Sequence, residues 1–292
     1  MKKLFIMCNG RTGSSFLADH FASMDFENYK NIKQYNAWEF FAMWPPNFWR
    51  NIHFLDETIK KPIPDSFIKF MTHSYRSNYP KDSRVPIKRG ESMRLEDFPY
   101  ELKMLEDFCN LLNEAGLTHF IHKHIAAANY KGGWSINDVL PLCDGVIVNY
   151  RKSILDTWIS NIKSQESQVW VTMQYDKNYD NKIYWDKHNF IKHAQRYKQM
   201  YDDLFEALHK FKKPYVVIQY EELCSQDDRN KFLKNKLSKI GFNDIVLKEA
   251  LTVKQSKPRE HYEECFKEYH VNHFKKDYHQ IKDFTSYELP EG

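Results

Sequence analysis

Glycine, paired cysteines and long apolar runs are all scarce in this sequence. Nine of the 292 residues are glycine, against an average of about 7%. The five cysteines are scattered and form no Cys-x-x-Cys pair, which argues against a disulfide framework and a cysteine-based zinc site. No apolar run approaches the roughly 20 residues of a membrane span, and the run at residues 4–8 is too short for a secretory signal. We therefore expect a cytoplasmic protein with no membrane partner.

The charge and composition are those of an ordinary globular protein. The formal net charge is +4, with 28% charged and 42% hydrophobic residues. This mild basic bias is too weak to indicate nucleic-acid binding, although it suits an anionic ligand. Because no repeat, low-complexity tract or linker interrupts the sequence, we predict one domain over residues 1–292.

Short apolar runs alternate with segments of helical periodicity, and this alternation indicates the fold class. The pattern predicts an α/β fold with a central parallel sheet. Strands are predicted at residues 3–8, 118–125, 144–150 and 214–220. Helices are predicted from residue 16 and at residues 101–114, 135–140, 154–163, 190–211, 228–240 and 245–252.

Three regions lack a clear period. Residues 42–100 are rich in proline and aromatic residues and read as an irregular insertion. Residues 164–187 are polar and aromatic, and we expect them to form a mobile substrate loop. The tail from residue 257 onward has no evident core pattern.

Two of the few glycines, Gly10 and Gly13, directly follow the first predicted strand. A glycine turn between a strand and a helix presents backbone N–H groups, and the segment also carries three hydroxyls and a guanidinium. These donors predict an anion site built from Gly10, Arg11, Thr12, Gly13, Ser14 and Ser15. The alternative is a tight turn with serine caps. Neither the Walker A pattern nor the dinucleotide fingerprint fits the segment.

The octapeptide from Gly10 to Leu17 resembles the 5′-phosphosulfate loop of sulfotransferases that use 3′-phosphoadenylyl sulfate (PAPS). Its arginine form is similar to bacterial carbohydrate sulfotransferases of the trehalose type. The resemblance implies that the six residues of the loop bind the cofactor. It also implies that Arg11 stabilises charge on the leaving phosphate.

Further segments resemble the same family in the same order along the chain. Arg151, at the end of the third predicted strand, and Ser160, in the next helix, match the pair that binds the 3′-phosphate of PAPS. The segment from Tyr220 to Leu223 resembles the tetrapeptide that closes a core strand. The tripeptide Lys254-Gln255-Ser256 is similar to the segment that flanks the nucleotide.

The general base has more than one candidate. Glu39 lies in a stretch similar to the one that carries the catalytic glutamate of the trehalose-type branch. His124 lies at the end of the second predicted strand, and cytosolic sulfotransferases carry a catalytic histidine just after the corresponding strand. His73 is a remote third option. Alternation along the strand predicts His122 and His124 on one face and Lys123 on the other. Two histidines could ligate a metal, but no third ligand is indicated, and we predict no metal site.

The resemblance also implies that the α/β fold is a P-loop-like three-layer sandwich, with a central parallel sheet and helices on both faces. Taken together, it implies a PAPS-dependent sulfotransferase that acts on a hydroxyl of a small-molecule or carbohydrate acceptor. Such an enzyme releases 3′,5′-adenosine bisphosphate and needs no metal. Two alternatives remain open. One is a P-loop-type nucleotide or small-molecule kinase, which the absence of the Walker lysine disfavours. The other is a non-catalytic nucleotide-binding protein on the same scaffold.

Overall fold

The structure, a computed structural model, describes residues 1–37, 50–68, 98–125, 136–167, 181–250 and 261–289. At its centre lies one sheet of five strands, and every neighbouring pair is parallel. The strands are β1 (Lys2–Cys8), β2 (Gln34–Asn36), β3 (His119–Ile125), β4 (Gly145–Tyr150) and β5 (Tyr215–Gln219). They lie in the order β2-β3-β1-β4-β5.

Helices surround this sheet. They are α1 (Ser14–Asp19), α2 (Phe98–Glu114), α3 (Ile136–Val139), α4 (Ile154–Ser167), α5 (Lys187–Lys210), α6 (Tyr220–Ser225), α7 (Arg229–Ser238) and α8 (Glu268–Ile281). A further helical stretch over residues 50–58 ends in a π-helical turn, Phe54–Thr58.

The core has two halves, one on each face of the sheet. On β1, Phe5 and Met7 pack on the side covered by α2, α4, α5 and α8, whereas Leu4 and Ile6 pack on the side of α1, α6 and α7. A parallel strand that is buried on both faces reads as a continuous apolar run, which is the pattern of residues 4–8. The predicted α/β three-layer sandwich is therefore confirmed.

The strand order creates a topological switch point at the carboxyl edge of the sheet, between the ends of β1 and β4, and we call this position the crevice. After β1 the chain turns towards β3 and β2, but after β4 it turns the opposite way, towards β5. Ligands of open α/β sheets bind where the direction of winding reverses in this way. Cys8 lies beside Asn149 in the ladder, so the loop after β1 and residue Arg151 emerge next to each other.

Some predicted elements differ in their bounds. Strand β2 was not predicted, because three residues, Gln34–Asn36, are too few to establish a period. Helix α2 begins at Phe98, ahead of the predicted start, because Pro99 fits the first turn of a helix. The strand predicted at 214–220 ends at Gln219, and Tyr220 begins α6.

Other predictions were wrong over longer stretches. Helix α4 continues to Ser167, so residues 164–167 are not part of a loop. Residues 245–250 are not helical; Leu247 instead pairs with Phe21 in an antiparallel bridge. The tail forms α8 and contributes buried side chains to the core, namely Cys265, Phe266, Phe274, Ile281 and Tyr287.

Candidate functional site

The loop between β1 and α1 has a left-handed backbone at two residues. The φ angle is +66° at Arg11 and +76° at Gly13. Glycine adopts this conformation without the steric penalty that other residues incur. A Cβ on Gly13 would also lie 2.1 Å from Cδ2 of Tyr220, whereas a Cβ on Gly10 would have no neighbour within 4 Å. The conformation therefore requires glycine at position 13 but not at position 10.

Thr12 anchors the loop to the sheet. Its side chain is fully buried, and its Oγ1 lies 2.9 Å from the carbonyl oxygen of Asn9 and 3.2 Å from Oδ1 of Asn149. Asn149 in turn donates from Nδ2 to the carbonyl oxygen of Ile218 on β5. The Thr12 hydroxyl therefore already has acceptors within the fold. The predicted contact of Thr12 with a ligand would then be made by its backbone.

The start of α1 leaves backbone donors available. Among the described residues, none accepts a hydrogen bond from the N–H groups of Gly13, Ser14 or Ser15, and Gly13 provides no side-chain cap. The first N–H groups of any helix lack intrahelical partners. An anion bound against this loop would supply acceptors for them.

Two cations lie at the loop, Arg11 from the loop itself and Lys123 from β3. Nε of Arg11 donates to Oγ of Ser160 on α4, at 3.0 Å. Nζ of Lys123 on β3 donates to Oγ of Ser15, also at 3.0 Å, and Lys123 is only 2% exposed. The structure thus places Arg11, Ser15 and Ser160 at the same loop and adds Lys123. Sequence reasoning missed this lysine, although its place in the middle of a buried strand was a signal.

Arg151 lies at the same edge but is turned towards carboxylates. It is 3% exposed, and its Nη2 lies 3.0 Å from Oδ2 of Asp156. Its Nε is 3.6 Å from Oε1 of Glu221, too far for a hydrogen bond, and has no hydrogen-bond acceptor among the described residues. The guanidinium carbon also lies 5.0 Å from the ring centroid of Tyr220. Arg151 therefore keeps one buried donor that the described residues do not satisfy.

The first turn of α4 is capped by the chain itself. Oγ of Ser153 accepts from the N–H of Asp156 at 3.1 Å. The carbonyl oxygen of Thr285 accepts from the N–H groups of Ile154 and Leu155, at 2.9 and 3.3 Å. These amides are not available to a ligand, in contrast to those at the start of α1.

His122 and His124 on β3 lie on the face opposite Lys123, as alternation predicted. The ring of His122 packs edge-on against Phe5 at 5.0 Å, and the rings of His122 and His124 are 5.8 Å apart. Phe5 faces the side of the sheet that α4 covers, and Arg11 contacts Ser160 on α4. His124 is thus on the same face of the sheet as the Arg11–Ser160 contact.

The remaining candidates lie outside the described residues: Glu39, His73, Lys254, Gln255 and Ser256. Their predicted roles stay predictions. In the described ranges, no group of three or more His, Cys, Asp or Glu side chains is placed to hold a metal ion. None of the helices in those ranges combines the length and the apolar character that a membrane crossing needs.

The chain was compared with protein-family models, with curated proteins and with solved structures, and none of them matches it. A proposal for the function therefore rests on the geometry at the carboxyl edge of the sheet, together with the motifs in the sequence.

Proposed function

We propose that the chain is a PAPS-dependent sulfotransferase that transfers a sulfuryl group to a hydroxyl of a carbohydrate or small-molecule acceptor. The observation that carries the proposal is the contact between the glycine loop and α4 at the crevice, where Nε of Arg11 donates to Ser160. These two residues are 149 positions apart in the sequence. The resemblance assigns them to the two phosphate-binding motifs of one cofactor.

The loop suits the 5′ end of such a cofactor. The unpaired N–H groups of Gly13, Ser14 and Ser15 point to an anionic ligand. Arg11 and Lys123 add two positive charges, and the contacts described for them at the loop are with hydroxyls, Ser160 and Ser15. Hydrogen bonds between charged donors and phosphate oxygens are about twice as strong as neutral ones.

Arg151 suits a second phosphate, with one condition. An unsatisfied buried donor costs about 1–3 kcal/mol, and a phosphate oxygen would supply the acceptor that its Nε lacks. Glu221 is the carboxylate on that side, at 3.6 Å, and it is partly exposed. A 3′-phosphate would therefore have to displace Glu221 from Arg151, while Asp156 keeps its contact at 3.0 Å.

The chain's own residues divide into three roles. Bound PAPS would supply an activated sulfuryl group. Arg11, Lys123 and the loop amides would hold its 5′ end and stabilise the charge that develops there. Arg151 and Ser160 would hold the 3′ end, with Lys254, Gln255 and Ser256 beside the nucleotide. Glu39 or His124 would accept the proton of the acceptor hydroxyl.

A thermal-shift experiment tests the cofactor assignment. We expect 3′,5′-adenosine bisphosphate in EDTA to stabilise the protein, because a ligand at 100 times its Kd adds about 2.7 kcal/mol to the folded state. For a chain of this length, that raises Tm by on the order of 5 °C. Lys123→Met should reduce the shift strongly, because the charge beside Ser15 is lost.

Lys213→Met provides the matched control. Nζ of Lys213 also donates to neutral oxygens, the carbonyls of Pro141 and Cys143, but these residues lie ahead of β4, at the opposite end of that strand from Arg151. This variant should keep the full ligand-induced shift. A shift with ATP and Mg²⁺ but none with the bisphosphate would reject the sulfotransferase and favour the kinase alternative.

A further inference from the structure

Two tyrosines on α5 reach both segments that line the crevice. Tyr197 and Tyr201 are one helical turn apart, so they lie on the same face of the helix, and both are fully buried. Their hydroxyls contact the backbone of the chain just after β1 and at the end of β4. There the sheet ladder ends, and backbone groups need other partners.

The Tyr201 hydroxyl forms hydrogen bonds with the backbone just after β1 and near the end of β4. Its hydroxyl donates to the carbonyl oxygen of Asn149 at 2.7 Å and accepts from the N–H of Asn9 at 3.4 Å. Asn9 precedes Gly10, and Asn149 lies two residues before Arg151. One oxygen atom therefore links the start of the glycine loop to β4, the strand that Arg151 directly follows.

Tyr197 fixes the backbone of Arg151 itself. Its hydroxyl donates to the Arg151 carbonyl oxygen at 2.7 Å and accepts from the Arg151 N–H at 2.9 Å. Burial raises the pKa of the phenols of both tyrosines, so both hydroxyls keep the proton that they donate. Each tyrosine thus satisfies one backbone donor and one backbone acceptor.

We propose that Tyr197 and Tyr201 are positioning residues that set the spacing between the glycine loop and Arg151. This inference rests on the proposed function. A ligand with two anionic groups, such as a nucleoside 3′,5′-bisphosphate, must engage both segments at once. It gains affinity when their spacing is fixed beforehand. A nucleoside 5′-monophosphate engages the glycine loop alone and does not depend on that spacing.

The test compares two ligands on each variant. Isothermal titration gives Kd for 3′,5′-adenosine bisphosphate and for 5′-AMP with the wild type, Tyr197→Phe and Tyr201→Phe. In both variants we expect the preference for the bisphosphate over AMP to fall roughly fivefold, the size of one net hydrogen bond. If the tyrosines had a purely structural role, the substitutions would weaken the binding of both ligands equally and leave the ratio of the two Kd values unchanged. That result would overturn the inference.

Tyr287→Phe is the matched control. Tyr287 is buried and stacks on Tyr201 with 5.7 Å between ring centroids, but its hydroxyl donates to Asp202 on α5. In Tyr287→Phe, the ratio of the Kd for AMP to the Kd for the bisphosphate should equal that of the wild type. A drop in this ratio as large as in the other two variants would contradict the assignment.

Hydrogen exchange on the unliganded wild type gives a second readout that does not depend on how the variants fold. The amides of Asn9 and Arg151 should already be protected before ligand is added, and exchange at the rate of an open loop would overturn the inference. If the wild type itself does not prefer the bisphosphate to AMP, the proposed function fails and the inference fails with it. If it does prefer the bisphosphate and the variants keep the preference, only the inference fails.

Discussion

At the scale of single residues, the two glycines of the loop are not equivalent. Gly13 has a φ of +76°, and a Cβ there would overlap the ring of Tyr220, whereas a Cβ on Gly10 would meet open space. We expect Gly13→Ala to lower the free energy of unfolding by about 2 kcal/mol or more, because a left-handed backbone costs about 1–2 kcal/mol before the clash is counted.

Gly10→Ala is the matched control and should stay within about 0.5 kcal/mol of the wild type. Urea unfolding of the three proteins gives the comparison. Equal losses in the two variants would show that the conformation described for the loop is incorrect.

His193 makes the stability of the protein depend on pH. Burial, followed by the charge of Arg196, lowers its pKa to about 4, and its Nε2 lies 3.0 Å from Oγ1 of Thr157. The unfolded chain takes up this proton near pH 6.5, whereas the folded chain does not until about pH 4. The contribution of neutral His193 to the free energy of unfolding is therefore fully present above pH 6.5. It is lost as the pH decreases from there towards 4.

Between pH 7.5 and 5, we expect His193 to account for a loss on the order of 2 kcal/mol in the free energy of unfolding. Urea unfolding of the wild type and His193→Gln at both pH values measures it. The free energy of unfolding should fall less in the variant than in the wild type. Some loss should remain, because burial also lowers the pKa of His20 and His119. The same pH dependence in both proteins would contradict the assignment.

Sequence reasoning at this scale found the donors of the loop but not all of their partners. The alternation of side chains along a strand correctly predicted that His122 and His124 lie on one face of β3 and Lys123 on the other. It could not place Lys123 beside Ser15, because that contact requires β3 to lie next to β1 with α1 on the same face. The carboxylates around Arg151 were also not foreseen, since they belong to two helices that meet only in the folded chain.

At the scale of elements, the tail supports the start of α4, the helix that follows Arg151. The Thr285 carbonyl caps α4, the N–H of Tyr287 donates to the carbonyl oxygen of Lys152, and the hydroxyl of Tyr262 lies 3.0 Å from Oγ of Ser153. Ending the chain after residue 284 removes the cap and the buried Tyr287 side chain. We expect the free energy of unfolding to fall by about 3 kcal/mol or more, with faster hydrogen exchange at Ile154 and Leu155.

Glu288→Gln is the control for that truncation. Glu288 belongs to the same segment, but it forms an exposed ion pair with Lys152, and such pairs contribute about 0–1 kcal/mol. If truncation costs no more than this substitution, the tail does not support α4.

The elements that the sequence predicted well are those whose period is long or whose burial is complete. Helix α5 and strands β1 and β4 belong to this group. Strand β2 was missed because it is three residues long, and the tail because its buried residues are interspersed with charged ones. Helix α4 was predicted too short because its last turn, with Ser164 and Ser167, has little apolar signal.

At the scale of the whole molecule, the sheet order explains why residues far apart in sequence meet. The parallel α/β class followed from the alternation of strands and helices. The order β2-β3-β1-β4-β5 did not, because strand pairing depends on how each crossover packs and not on any local pattern. That order puts the ends of β1 and β4 side by side, and the glycine loop, Arg11 and Arg151 surround the resulting crevice.

The most direct test of the account is turnover of PAPS in EDTA with a panel of carbohydrate and small-alcohol acceptors, followed as release of 3′,5′-adenosine bisphosphate. The account predicts release that depends on an acceptor and is abolished in Arg11→Ala. It also predicts that Glu39→Gln or His124→Ala stops turnover while the bisphosphate still binds. Binding of the bisphosphate with no acceptor-dependent release across the panel would contradict the account and leave a nucleotide-binding protein without transferase activity.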